Sequence, residues 1–286
     1  MEPIPSLQTP ENGPEPRLKI YFLPNLLTAG NMFCGFLALT KIVEANPDAA
    51  NFNDAIRDSL YLILLACIFD LFDGRVARMG GRESPFGREF DSLADVISFG
   101  VDPAFLVHRI LLKGIFANHP QVGWFIASIY VICGAFRLAR FNCLAAMAGT
   151  GGGNEFLGFP IPAAAGLVAS ITYFILWMQE REFAAGAWRY ILPAIMVFLS
   201  LMMVSEVKYP TFKSLDFRAK RTFSKMVVTV VLIGFVVILR EKILPVVLPL
   251  FFISYLIYGF IRPRISRKMR QEIEEEDEDE DQSGAT

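Results

Sequence analysis

The stretch 70–96, DLFDGRVARMGGRESPFGREFDSLADV, holds six acids and four arginines between runs apolar enough to enter a lipid bilayer. Within it Asp70 and Asp73 are spaced i, i+3, while Asp91 and Asp95 are spaced i, i+4. On helices each pair shares a face, as does Ala77 at i+7 from Asp70. The intervening MGGRESPFG is a tight connector, and Ser84 followed by Pro85 reads as the N-cap and first position of the second helix. Two antiparallel helix ends then present four carboxylates to one another. Such carboxylates repel, and protonating some of them relieves only part of the repulsion. A divalent cation, or two, resolves it, and an all-oxygen donor set favours Mg²⁺ or Mn²⁺ over zinc. Two hard cations close together are the usual clamp on a phosphoryl group undergoing displacement. Gly74 and Ala77 let a flat or bulky ligand approach the helix backbone, and Arg78 offers a forked donor to phosphate.

Other readings compete. Charged residues at helix ends are often only solvated interface groups, and intramembrane acids also mark ion or proton pathways, as in an ion-coupled transporter. A pathway distributes acids over several spans and depths. Here they cluster in one hairpin with Gly, Ala and Arg, which favours metal–phosphate chemistry.

The elements that carry these residues follow from composition. Of 286 residues 53% are hydrophobic, 26 are phenylalanine, and apolar runs recur along the chain, as expected of an integral membrane protein. Eight spans near the ~20 residues needed to cross hydrocarbon are expected, over 21–43, 57–79, 86–113, 121–143, 160–178, 188–205, 224–240 and 243–261. The expected fold is therefore all-α, a polytopic membrane bundle of about eight helices. Residues 1–17 are rich in proline and polar groups without the pattern of a cleavable signal peptide, so they are expected to be disordered. The membrane domain is expected over 18–262, and a basic then acidic disordered tail over 263–286.

Charge orients the bundle. The formal net charge is −2, but nine acids fall within 272–281, and the remainder is positive by about seven, as suits anionic lipid or a phosphate-rich substrate. If the amino terminus is cytoplasmic, 19 of the basic residues fall on the cytoplasmic side and 8 opposite. That asymmetry expects both termini, and the carboxylate hairpin at the ends of spans two and three, on the cytoplasmic side. The four cysteines are scattered without a C-x-x-C pair and read as small buried hydrophobes, and two histidines do not suggest a zinc or triad site.

The pattern Asp70-x-x-Asp73-Gly74-x-x-Ala77-Arg78, eight residues, Gly87-x-x-x-Asp91-x-x-x-Asp95 resembles the complete signature of the CDP-alcohol phosphatidyltransferases. PNLLTAGNMFCGFLA (24–38), FDSLADVISFGVDPA (90–104), GAFRLARFN (134–142), FLGFPIPAAAG (156–166) and LMMVSEVKYPTFK (201–213) are similar to blocks of the integral-membrane phosphatidylserine synthases of that family. Asp102 departs from the small apolar residue expected at its position. The resemblance implies transfer of a phosphatidyl group from CDP-diacylglycerol to the hydroxyl of L-serine, with release of CMP, in a bacterial inner membrane. It implies that Asp70, Asp73, Asp91 and Asp95 hold Mg²⁺ or Mn²⁺, two ions in all, and that Asp95 beside Asp91 takes the serine proton. Asn25, Thr28, Gly74, Ala77, Arg78 and Gly87 would border the nucleotide and its phosphates. Arg137 and Arg140 are spaced i, i+3 near the cluster and suit either interface anchoring or the acceptor carboxylate; binding is the reading preferred. Glycerol 3-phosphate or inositol phosphate as acceptor is the alternative within the family. Membrane lipids are expected partners, nucleic acid is not, and a homodimer is left open. Gly134, Ala135, Ala163 to Ala165 and Gly166 read as small residues for close helix contact.

Overall fold

The computed structural model of the chain describes residues 21–79, 84–147, 155–181, 190–210, 243–259 and 261. The expected disordered ends, 1–17 and 263–286, and the expected span 224–240 lie outside them. The described part is mostly helical, with helices at the places expected for seven of the spans. They are α1 (Phe22–Glu44), α2 (Phe52–Met79), α3 (Pro85–Asp95), α4 (Asp102–Val107), α5 (Lys113–Ile115), α6 (Pro120–Met147), α7 (Ile161–Gln179), α8 (Ile191–Val204) and α9 (Leu244–Gly259). α3, α4 and α5 form one continuous run, joined by π-helical segments at Val96–Val101 and His108–Leu112. Among the described residues the departure from an all-α fold is one antiparallel pair, β1 (Glu155–Leu157) with β2 (Lys208–Pro210), in the register Phe156 to Tyr209.

By length and composition α1, α6 and α7 are apolar enough to cross a membrane. α2 carries Asp70 and Asp73 of the opening stretch, and the third run carries Asp91 and Asp95. α8, with 14 residues, is shorter than the ~20 a crossing needs. Phe33, Phe36, Phe72, Phe125, Phe136 and Phe251 are each more than half exposed. Water penalises such a belt and lipid does not. This is an integral membrane protein.

α1 and α2 pack along each other as a hairpin. Its turn is set by Asn46, whose side-chain oxygen accepts from the Asp48 N–H at 3.1 Å. α3 begins as the sequence predicts: Ser84 Oγ accepts from the Gly87 N–H at 3.0 Å, with Pro85 in the first turn. α7 is apolar all round and mostly buried, which is the signature of a central helix. It packs on α2, α8 and the Val96–Val101 segment. Small residues make these approaches. A Cβ on Gly134 would stand 2.5 Å from Ile161 Cδ1, and one on Gly166 would collide with the Phe252 ring of α9. Both fit the close-contact role expected of them.

Candidate functional site

Asp70 and Asp73 stand on the C-terminal third of α2 and Asp91 and Asp95 on the second half of α3, and the packing of both helices against α1 brings the carboxylates together. One carboxylate oxygen each from Asp70, Asp91 and Asp95 lie within 4.8 Å of one another. Asp73 stands against Asp91 as well, close enough for hydrogen bonding between the two carboxyl groups.

α1 supplies the supports. The Thr28 hydroxyl is 2.9 Å from Asp73 Oδ2 and 3.2 Å from the Pro24 carbonyl, so its one proton is divided between two acceptors. Three residues on, Asn31 Nδ2 donates to Asp95 Oδ1 at 3.2 Å. Thr28, Asn31, Asp73 and Asp95 are all buried. Asn31 is held in turn through its backbone, whose carbonyl accepts from Ser98 Oγ at 3.1 Å. That bond requires α1 to lie against the π segment, and Gly35 makes room: a Cβ there would meet Ser98 Oγ and stand 2.9 Å from Ser98 Cα. Asn25 lies beside Gly87, where an added Cβ would come within 3.2 Å of Asn25 Oδ1. The buried Asn25 Nδ2 has no hydrogen-bond partner among the described residues.

The two arginines do different work. Arg140 donates from Nη1 to the Val204 carbonyl at 3.0 Å, and from Nη2 to Leu157 at 3.2 Å and Ser205 at 3.0 Å. It thereby closes the end of α8 onto the strand pair. Gly158, at φ +79, makes the turn beside it, where a side chain would be strained. Arg137 is buried, and its charge acts on Asp95 and Asp70. On α6, Asn142 Nδ2 donates to Ser92 Oγ at 2.9 Å, which fixes α6 against α3.

A hard divalent cation fits this arrangement. The donors are carboxylate oxygens, they are crowded, and the buried Asp91 Oδ1 has no hydrogen-bond partner among the described residues. In water-poor surroundings crowded carboxylates repel strongly, so a cation held by Asp70, Asp91 and Asp95 offsets that repulsion.

Of the residues predicted from sequence, Asp70, Asp73, Asp91, Asp95 and Thr28 meet at the cluster, and Asn25 meets Gly87 beside it. Gly74, Ala77 and Arg78 lie on α2 one to two turns past Asp70, while the side chains of Ala77 and Arg78 lie outside the described part. Asn31, Ser98, Ser92 and Asn142 are additional supports that sequence reasoning missed. A polar residue three positions from Thr28 in an apolar helix was the available signal for Asn31. Asp102 is fully buried on the same helical run, and neither carboxyl oxygen has a hydrogen-bond partner among the described residues.

Residues 21–205 match the CDP-alcohol phosphatidyltransferase family. The chain is 33% identical over 243 residues to the CDP-diacylglycerol–serine O-phosphatidyltransferase of Helicobacter pylori, covering 85% of this chain and 91% of that one. It is 32% identical over 194 residues to the protein of the same name from Bacillus subtilis, covering 67% and 92%. It is also 36% identical over 190 residues to the archaetidylserine synthase of Methanothermobacter thermautotrophicus, covering 66% and 69%.

Proposed function

The chain belongs to the CDP-alcohol phosphatidyltransferase family, and we propose that it transfers the phosphatidyl group of CDP-diacylglycerol to the hydroxyl of L-serine. The observation that carries this reading is the meeting of Asp70, Asp91 and Asp95 within 4.8 Å, with Asp73 beside them, at the α2–α3 junction of a membrane bundle. Serine as acceptor is supported by the relatives' names, which carry it in both the phosphatidyltransferases and the archaetidylserine synthase.

The serine hydroxyl oxygen attacks the phosphorus that bears diacylglycerol. The phosphorus–oxygen bond to CMP breaks, and CMP leaves with the electron pair. Asp95 takes the hydroxyl proton, oriented by the Asn31 amide, with Asp91 one turn away. When bound by Asp70, Asp73, Asp91 and Asp95, Mg²⁺ or Mn²⁺, two ions on this reading, supplies neutralising charge to the diphosphate and the departing CMP. Gly74 and Ala77 keep the α2 surface low for cytidine. Arg78, Thr28 and the backbone at Gly87 border the phosphates, and the Asn25 amide, without a partner among the described residues, offers a further donor. Arg137, not the carbonyl-bound Arg140, is the arginine that binds the serine carboxylate.

Eight spans with both termini on the cytoplasmic side of a bacterial inner membrane complete the proposal, supported by the distribution of Lys and Arg. The cluster then sits at the cytoplasmic ends of spans two and three, where serine is at hand and the acyl chains stay in the bilayer.

The test is incubation of purified protein with CDP-diacylglycerol, Mg²⁺ or Mn²⁺ and individual acceptors, followed by identification of the lipid. Phosphatidylserine and stoichiometric CMP are expected. A product made only from glycerol 3-phosphate or inositol phosphate would overturn the acceptor. Chelation and Asp91→Asn should each abolish CMP release while the helical content stays at the native level; undiminished turnover in excess chelator would sink the cation's role.

A further inference from the structure

A cavity of about 290 Å³ opens between the C-terminal end of α1, the α4–α5 part of the third run and the first turns of α6. It is remote from the carboxylates. Ile42 is 14 residues past Thr28 on α1, and Arg109 is 18 residues past Asp91 on the third run. At 1.5 Å per residue the separation is about 20–27 Å. A hydrocarbon core is ~30 Å thick, so cluster and cavity stand at opposite edges of the membrane.

The ionisable lining is wholly basic, His108, Arg109 and Lys113, with no acid among the lining residues. The π segment assembles it. The Lys113 N–H bonds back to the His108 carbonyl, an i→i+5 link that brings Lys113 over His108 where an α-turn would carry it away. Lys113 and Arg109 both lie near enough for their charge to act on His108. Arg109 Nη2 donates to the Ala45 carbonyl at 2.6 Å, fixing the guanidinium at the end of α1. Its buried Nε has no hydrogen-bond partner among the described residues. Lys113 is exposed.

The other walls are apolar. The His108 ring stacks on Trp124 at 3.7 Å between centroids, and Phe105 meets the same indole edge-on at 5.5 Å. Trp124 is 46% exposed, and Val43, Val122 and Phe125 are exposed around it. An indole half in and half out of a protein is suited to the boundary between lipid and water.

Converging bases without an acid select an anion, and an aliphatic and aromatic rim at a membrane edge selects a chain attached to it. We propose that this cavity binds the head group of an anionic phospholipid in the leaflet opposite the carboxylate cluster. Its phosphate rests on Arg109 and Lys113, and its acyl chains run outside along Val43, Val122 and Phe125. The site follows from the bundle's placement in a membrane and is independent of the transfer reaction. A soluble phosphate ester offers the same anion without the chains.

Trp124 is the reporter. The full chain in phosphatidylcholine nanodiscs is titrated with phosphatidylglycerol brominated on its acyl chains, and tryptophan fluorescence is followed, with Trp124→Phe giving the background. Brominated phosphatidylglycerol should quench at a mole fraction about tenfold below that of brominated phosphatidylcholine, the effect of one charge-assisted contact. Lys113→Glu should abolish the difference while CMP release in the same nanodiscs stays at the wild-type rate. Arg109→Gln should also abolish it but removes a bond to the end of α1, so Lys113→Glu decides. Equal quenching by the two lipids, or a preference that survives Lys113→Glu, overturns the head-group site. Reversal of quenching by millimolar glycerol phosphate overturns the lipid in favour of a free anion.

Discussion

Asn31 separates what spacing reveals from what only folding reveals. The aspartates announce themselves because each pair shares a helix face within its own segment, and i, i+3 and i, i+4 are visible in one dimension. Asn31 acts on Asp95, 64 positions away, from the middle of an apolar helix, and its i, i+3 spacing from Thr28 does not name that partner. Asn31→Leu should therefore lower kcat about tenfold to a hundredfold, the worth of a hydrogen bond to a carboxylate at ~1.5–3 kcal/mol. The KM for CDP-diacylglycerol should move little; steady-state kinetics on purified protein checks this. The paired arginines make the converse point. Spacing alone could not divide Arg137 from Arg140, because both fall at the same end of α6. Arg137→Lys should raise the serine KM by tenfold or more with stability unchanged, since lysine keeps the charge and loses the fork. Arg140→Ala should leave the serine KM near wild type and lower Tm, because three backbone carbonyls lose their donor. Measuring both quantities on both variants distinguishes a ligand contact from a clasp.

At the scale of elements, helix positions were legible because apolar runs of membrane length have few alternatives, and the start of α3 was legible because Ser-Pro fits an N-cap. The strand pair was not. Three residues a side carry no readable alternation, and their pairing depends on where α6 and α8 end. The π segments were equally hidden, since their hydrogen bonds answer to what the helix packs against. One such contact is Gly35 against Ser98. Gly35→Ala should destabilise the protein by about 1–3 kcal/mol, the usual cost of overpacking. It should also slow catalysis, because α1 cannot withdraw from Ser98 without taking Asn31 off Asp95. Ser98→Ala in the same chain should not restore Tm, since the Ser98 Cα would still lie 2.9 Å from the new methyl. Thermal unfolding of the single and double variants in detergent reads this directly.

Across the whole molecule, the two edges of the bundle carry opposite chemistry: carboxylates crowd one end, and bases gather in a cavity at the other. The proposed orientation in the membrane rests on the Lys and Arg asymmetry, a property of the chain as a whole. A single cysteine placed at 80–83 in a cysteine-free background should react with an impermeant maleimide in inside-out vesicles and stay unlabelled in intact cells; the reverse pattern inverts the bundle. The π segment Val96–Val101 joins these two ends, and it gives the third run a break in rotational phase. A one-residue offset turns everything beyond it by about 100° relative to a regular helix of 3.6 residues per turn. Asp91 and Asp95 are thus set to one azimuth, and Phe105, before the second π segment His108–Leu112, to another. The helix works as two dials on one shaft, coupled at Ser98, whose bond to the Asn31 carbonyl ties any re-aiming of the far membrane edge to the amide that holds Asp95.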